Sequence, residues 1–338
     1  MHAQNPYSDR YDLKRLATFN SKLQEHIVSN PSNEDTIDFS DSASVYELNK
    51  AMLLADFNLE TYELPMGYLI PPVPGRLEYL LHIREFLSEQ FKIDGNTKLR
   101  GLDVGSGANG IYCILGTQHF DWNMVGSECD SNAVKIAKAN VGSTKSLKNK
   151  IDIRHQENKS FLLKNVIQPS EQFDFTVCNP PFHTSKEDAF RGSQKKLNNL
   201  GREFDKQQVA LNFEGQANEL WCNGGEALFI KRLIKESILF KNQVKVFSTL
   251  VSKTDSLANI DKQLKKAKAN VIGMLALFTY GFTVADQAFK TANISIQTLC
   301  DYENLLLVAI AQNKISSEQS KNLKKWRENP SQWNPSQG

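Results

Sequence analysis

From Arg76 onward the apolar positions change period repeatedly. "GRLEYLLHIREFLSEQF" sets Leu80, Ile83, Leu87 and Phe91 at helical spacing. "KLRGLDVG", "WNMVGSE", "QFDFTVCN", "GEALFI" and "VKVFSTLV" are short apolar runs that read as strands. Between or after them lie helical patterns. These are "SNAVKIAKANV", with Ser131 as its expected N-cap, "FIKRLIKESILF" and "SLANIDKQLKKAKA". Alternation of this kind predicts an α/β chain with a mainly parallel, doubly wound sheet, which binds ligands beyond the carboxyl ends of its strands.

The first 75 residues are patterned differently. The opening forty are polar, with Arg10, Lys14 and Arg15 near Tyr7, Tyr11 and Phe19. They suit either a frayed arm or one that touches nucleic acid. A helix is expected from about Ser44, where Ser44 and Glu47 match a capping box and Val45, Leu48, Met52 and Ala55 share a face. "LPMGYLIPPVPG" then holds four prolines and reads as a stiff connector. The organisation predicted is a small N-terminal helical, RNA-contacting extension (1–75), a main domain (76–312) and a polar tail (313–338).

Composition narrows the picture a little. A hydrophobic content of 40% allows a sizeable core, and a net charge of +2 confines any nucleic-acid binding to local basic patches. Five scattered cysteines lack metal-site spacing and suggest reduced thiols. The start lacks a signal-like apolar stretch, and the longest apolar run, "VIGMLALF", cannot span a bilayer. A cytoplasmic protein is expected, with no metal, no membrane association and no obligate protein partner.

Two motifs carry chemistry. "LDVGSGANG" follows a strand and opens a helix, with Gly105, Gly107 and Gly110 permitting a sharp turn and close approach of a ligand. Such a loop serves several adenosine-containing cofactors. Asp103 would repel a diphosphate but welcome an ammonium group, and Glu128 ends the next strand, where an acid grips ribose hydroxyls. Together they point to S-adenosylmethionine (SAM).

The second motif is Asn179-Pro180-Pro181-Phe182, directly after "FDFTVC". Prolines cannot donate to a ladder, so the strand stops at Asn179. An exocyclic amine on a base is a poor nucleophile. The Asn179 side-chain oxygen and the Pro180 carbonyl could accept its hydrogens and draw it toward a tetrahedral shape, while Phe182 stacks on the base. Adenine-N6, guanine-N2 and protein-glutamine methyltransferases all use close variants of this motif. His183 reads as structural. Downstream, 182–224 is a long polar substrate loop whose Arg191, Lys195, Lys196 and Arg202 stand without an intervening acid, a pattern suited to an RNA backbone.

At these residues the chain resembles the ribosomal RNA large subunit methyltransferase F family, over roughly residues 1 to 270. The likeness is carried by "MHAQNPY", "LIPPVPGRLEYL", "LDVGSGANGIYCILG", "NPPFHTS", "RGSQKKLNNLG" and "ELWCNGGE". It implies a Rossmann-like class I SAM-methyltransferase sheet and N6-methylation of one adenine of 23S ribosomal RNA. It favours that substrate over guanine-N2; Phe182 in place of a tyrosine disfavours protein glutamine, and the intact Asn179–Phe182 set argues against a non-catalytic RNA-binding relative. It also implies that Arg76, Gly105, Glu128, Ser160 and Asn179 contact SAM, with Arg76 meeting its carboxylate. The stretch 271–310 departs from the family, which usually ends in a basic hairpin and an Ala-Trp strand.

Overall fold

The computed structural model describes residues 2–94, 97–185, 187–188, 219 and 221–333. The chain forms two compact units, His2–Ala267 and Lys268–Gly338.

The first unit is built on five parallel strands: β3 (Arg100–Val104), β4 (Asn123–Glu128), β5 (Ile151–His155), β6 (Phe173–Cys178) and β7 (Val244–Phe247). Their order is β5-β4-β3-β6-β7, so the chain reverses direction of travel between β3 and β6. That switch point lies beside the glycine loop after β3, where a doubly wound sheet opens its ligand crevice. Leu102, Val104, Val125, Phe173 and Cys178 form a buried cluster with Leu233 and Val244. Both faces of the inner strands are covered, so β3, β4 and β6 are buried almost throughout, while the edge strands β5 and β7 alternate buried with exposed positions.

Helices α3 (Val73–Phe91), α4 (Ile111–Phe120), α5 (Ser131–Ser143), α6 (Gly225–Phe240) and α7 (Thr254–Lys266) accompany the sheet. Three local expectations change. "GEALFI" is the first turns of α6 rather than a strand, because Ile230, Leu233 and Ile234 continue one buried face along it. Asp130, not Ser131, caps α5, its carboxylate accepting from the N–H groups of Asn132 and Ala133. Asp41, not Ser44, caps α2 (Ser42–Asp56), accepting from Ala43 and Ser44. In both helices a carboxylate earlier in the chain, by one residue at Asp130 and three at Asp41, is the stronger acceptor for the free N–H groups.

The N-terminal segment precedes this sheet with α1 (Leu13–Phe19) and a short antiparallel pair, β1 (Ile27–Ser29) and β2 (Asp35–Ile37). It is not frayed. Asn5 is buried, and its amide donates to the Glu78 carboxylate at 2.7 Å and the Pro74 carbonyl at 3.1 Å. The His2 N–H donates to Glu78 at 2.6 Å, and Tyr7 is buried with its hydroxyl on Asp56 at 2.9 Å. The "HAQNPY" and "VPGRLEY" blocks are therefore two halves of one contact. Arg10, Lys14 and Arg15 each meet an acid, Glu34, Asp35 and Asp56 respectively. His2, His82 and Glu85 cluster within 4.8 Å, but the Gln4 N–H on His2 Nδ1 leaves the ring proton on Nε2, facing Glu85.

The second unit pairs two short parallel strands, β8 (Met274–Ala276) and β9 (Ile296–Thr298), joined by α8 (Thr283–Ala292). Helices α9 (Tyr302–Ala311) and α10 (Ser317–Glu328) follow, with Tyr280, Tyr302 and Trp326 in mutual ring contact.

Candidate active site

The site is assembled where β3, β4 and β6 end. Val104 pairs with Cys178 and Asp103 with Val177, so Asn179 emerges alongside Gly105 at the carboxyl edge. Gly105 has φ +80° and its N–H, with that of Ser106, donates to the Ser127 carbonyl, each at 2.9 Å. A Cβ at Gly105 would meet nothing within 4 Å, so the loop borders open space there.

Asp103 is 1% exposed, and neither carboxylate oxygen has a hydrogen-bond partner among the described residues. Burial pushes its carboxyl up to about 8, with Glu128 adding to the rise and Arg76 opposing it. A buried acid without a bond is unstable as an anion, and a cationic ligand group would relieve it. Arg76, in the first turn of α3, lies near enough to act on that carboxylate. Its guanidinium is held over the Tyr112 ring at 5.5 Å and donates to the Tyr112 hydroxyl at 2.9 Å. The pair thus offers a cation for a ligand carboxylate and an anion for a ligand ammonium, side by side.

Glu128 closes β4. Its carboxylate accepts N–H bonds from Gly107 at 3.0 Å, Cys129 at 2.7 Å and Asp130 at 2.8 Å. Those bonds fix its direction. Ser160 sits exposed in the turns after β5, its N–H on Asn158 Oδ1 at 2.9 Å.

Asn179 presents a second orphan. Its Oδ1 is buried and accepts no bond from the described residues. Pro180 is buried, and Pro181 and Phe182 are half-buried at the mouth of the crevice. Leu250 donates its N–H to the Cys178 carbonyl at 2.9 Å, which anchors the strand end before the prolines. His183 Nδ1 lies 3.4 Å from Asp188, and its carbonyl accepts from the Cys222 N–H at 3.1 Å. Arg191, Lys195, Lys196 and Arg202 lie outside the described residues.

Sequence reasoning missed Tyr112 and Glu219. Glu219 accepts N–H bonds from Ala108 and Leu69, each at 2.7 Å. It stands in the "ELWCNGGE" block, which is its only sequence signal, since its partners are 111 and 150 residues away.

The donor set fits SAM: an unbonded buried carboxylate for the ammonium, a guanidinium for the carboxylate, and an acid at the end of the second strand for the ribose. A family described as "RNA methyltransferase" matches residues 1–285. A protein named ribosomal RNA large subunit methyltransferase F, from Christiangramia forsetii, is 45% identical over 80% of this chain and 93% of its own. One of the same name from Vibrio campbellii is 40% identical over 82% of this chain and 76% of its own. Among solved structures, the human METTL16 catalytic domain in complex with the MAT2A 3'UTR hairpin 1 aligns with a TM-score of 0.64 and 29% identity, over 79% of this chain and 86% of that one. The N-terminal domain of human METTL16 in complex with SAH aligns at 0.60 and 28% identity, over 79% and 90%. The chain belongs to the RNA methyltransferase family, and it is a SAM-dependent enzyme.

Proposed function

We propose that the protein methylates the N6 amine of one adenine in 23S ribosomal RNA. The observation that carries this reading is the buried, unbonded Asn179 Oδ1 at the end of the strand next to the glycine loop. An acceptor in that state is costly unless a ligand donates to it. The N6 amine has two hydrogens, one for Asn179 Oδ1 and one for the Pro180 carbonyl. Held so, the nitrogen lone pair leaves conjugation with the ring and becomes available for attack. SAM supplies an electrophilic methyl group on a sulfonium. Phe182 stacks on the extruded base, a contact worth about 1–3 kcal/mol. The proton lost from the methylated nitrogen passes to water and calls for no strong base, which leaves His183 in a structural role.

Large-subunit RNA as substrate is supported by the names of the bacterial relatives, and RNA recognition by the METTL16 complex. The basic residues Arg191, Lys195, Lys196 and Arg202 are suited to RNA phosphates. Replacing Lys195 and Lys196 with alanine is expected to flatten the slope of log affinity against log salt by about 1.4. The test of the reaction itself is incubation with labelled-methyl SAM and unmodified 23S RNA, followed by digestion to nucleosides. Label in N6-methyladenosine supports the reading. Label in N2-methylguanosine, or none in RNA, overturns it.

A further inference from the structure

Glu219 is a half-buried carboxylate outside the groups that would touch the cofactor or the base, and it joins three parts of the site. Its Oε2 accepts the N–H of Leu69, in the proline-rich connector seven residues before Arg76. Its Oε1 accepts the N–H of Ala108, in the glycine loop. Two residues on, Trp221 bridges in parallel to His183, directly after Phe182. The Leu69 peptide is gripped at its other end too, its carbonyl accepting from the Asn109 amide at 3.2 Å. There is no slack beside the carboxylate: a Cβ on Gly107, at φ +62°, would approach Oε1 to 2.7 Å.

We propose that Glu219 is a positioning residue for cofactor binding, its carboxylate setting the spacing between the connector and the glycine loop, and so between Arg76 and Asp103. The inference rests on the reading of those two residues as the SAM amino-acid clamp. A carboxylate suits the task because it is acceptor-only and takes both N–H groups at once. An amide could accept only one of them and would turn its NH2 toward the other. The position is built at a cost in ionisation. Burial pushes the Glu219 carboxyl up to about 7, the two N–H bonds oppose the rise, and Glu128 and Asp130 add to it. Tyr62 and Tyr68 also face it.

Glu219→Gln is the test, read by calorimetric titration with S-adenosylhomocysteine and by deuterium exchange of the cofactor-free protein. Both readouts omit RNA, so a failure of the adenine assay leaves them untouched. The expected result is about tenfold weaker binding, the loss of one charge-assisted bond. Exchange should quicken at the Leu69 and Ala108 amides while the strands of the sheet keep wild-type protection. Unchanged affinity, or unchanged exchange at those two amides, overturns the proposal. Faster exchange across the whole sheet also overturns it, because Glu219 would then support the fold at large.

Discussion

Asp103 and Asn179 stand at the carboxyl ends of neighbouring parallel strands, and each buries a side-chain oxygen that no group among the described residues satisfies. Two such orphans side by side describe a site prepared for donors that arrive from outside: an ammonium at one, an amine at the other.

Asp103 predicts a trade between stability and binding. Its carboxyl is raised from 3.8 to about 8. A carboxyl raised by folding holds its proton longer in the native state, so its contribution is fully present below about pH 4 and is lost as pH rises to about 8. Asp103→Asn abolishes that loss. The cofactor-free variant should melt above wild type at pH 8, with the gap narrowing toward pH 4, while S-adenosylhomocysteine binds at least about tenfold more weakly. A gap that does not vary with pH would refute the assignment.

Glu128→Ala should lower both affinity and stability. The carboxylate loses any bond to the ribose, at about 1.5–3 kcal/mol, and three backbone N–H groups lose their acceptor. Thermal melting and calorimetry with S-adenosylhomocysteine measure the two effects. An intact melting temperature would mean that water replaces all three bonds.

Asn179→Ala should behave in the opposite way. Its Oδ1 bonds nothing among the described residues, so the melting temperature should hold while turnover falls by about 100-fold or more. Turnover within about threefold of wild type, with RNA affinity reduced, would make Asn179 a binding residue.

Asn5→Ala tests the N-terminal contact. It removes bonds to Pro74 and Glu78 at a buried position, and should cost about 1–3 kcal/mol in urea unfolding. Wild-type stability would place the segment outside the cooperative unit.

Local pattern was enough for the parallel sheet, for the glycine loop after β3 and for the halt of β6 at Asn179, since period, glycine and proline act over a few residues. The caps of α2 and α5 fall three residues and one residue earlier than expected, because a nearby aspartate is the stronger acceptor, and the start of α6 is helix rather than strand because its buried face continues along the helix. "HAQNPY" and "VPGRLEY" were recognisable as blocks, yet only the folded chain shows that Asn5 and Glu78 hold them together across 73 residues. The stretch 271–310, read as departing from the family, falls in the unit that begins at Lys268, and the family match itself runs to residue 285. That Asp103 is buried without a partner, that Glu128 is spent on three backbone N–H groups, and that Glu219 reaches Leu69 and Ala108 were decided by tertiary structure alone. The physical reason is that burial and long-range hydrogen bonds are properties of the space around a side chain, and the residues that make that space are distant in the chain.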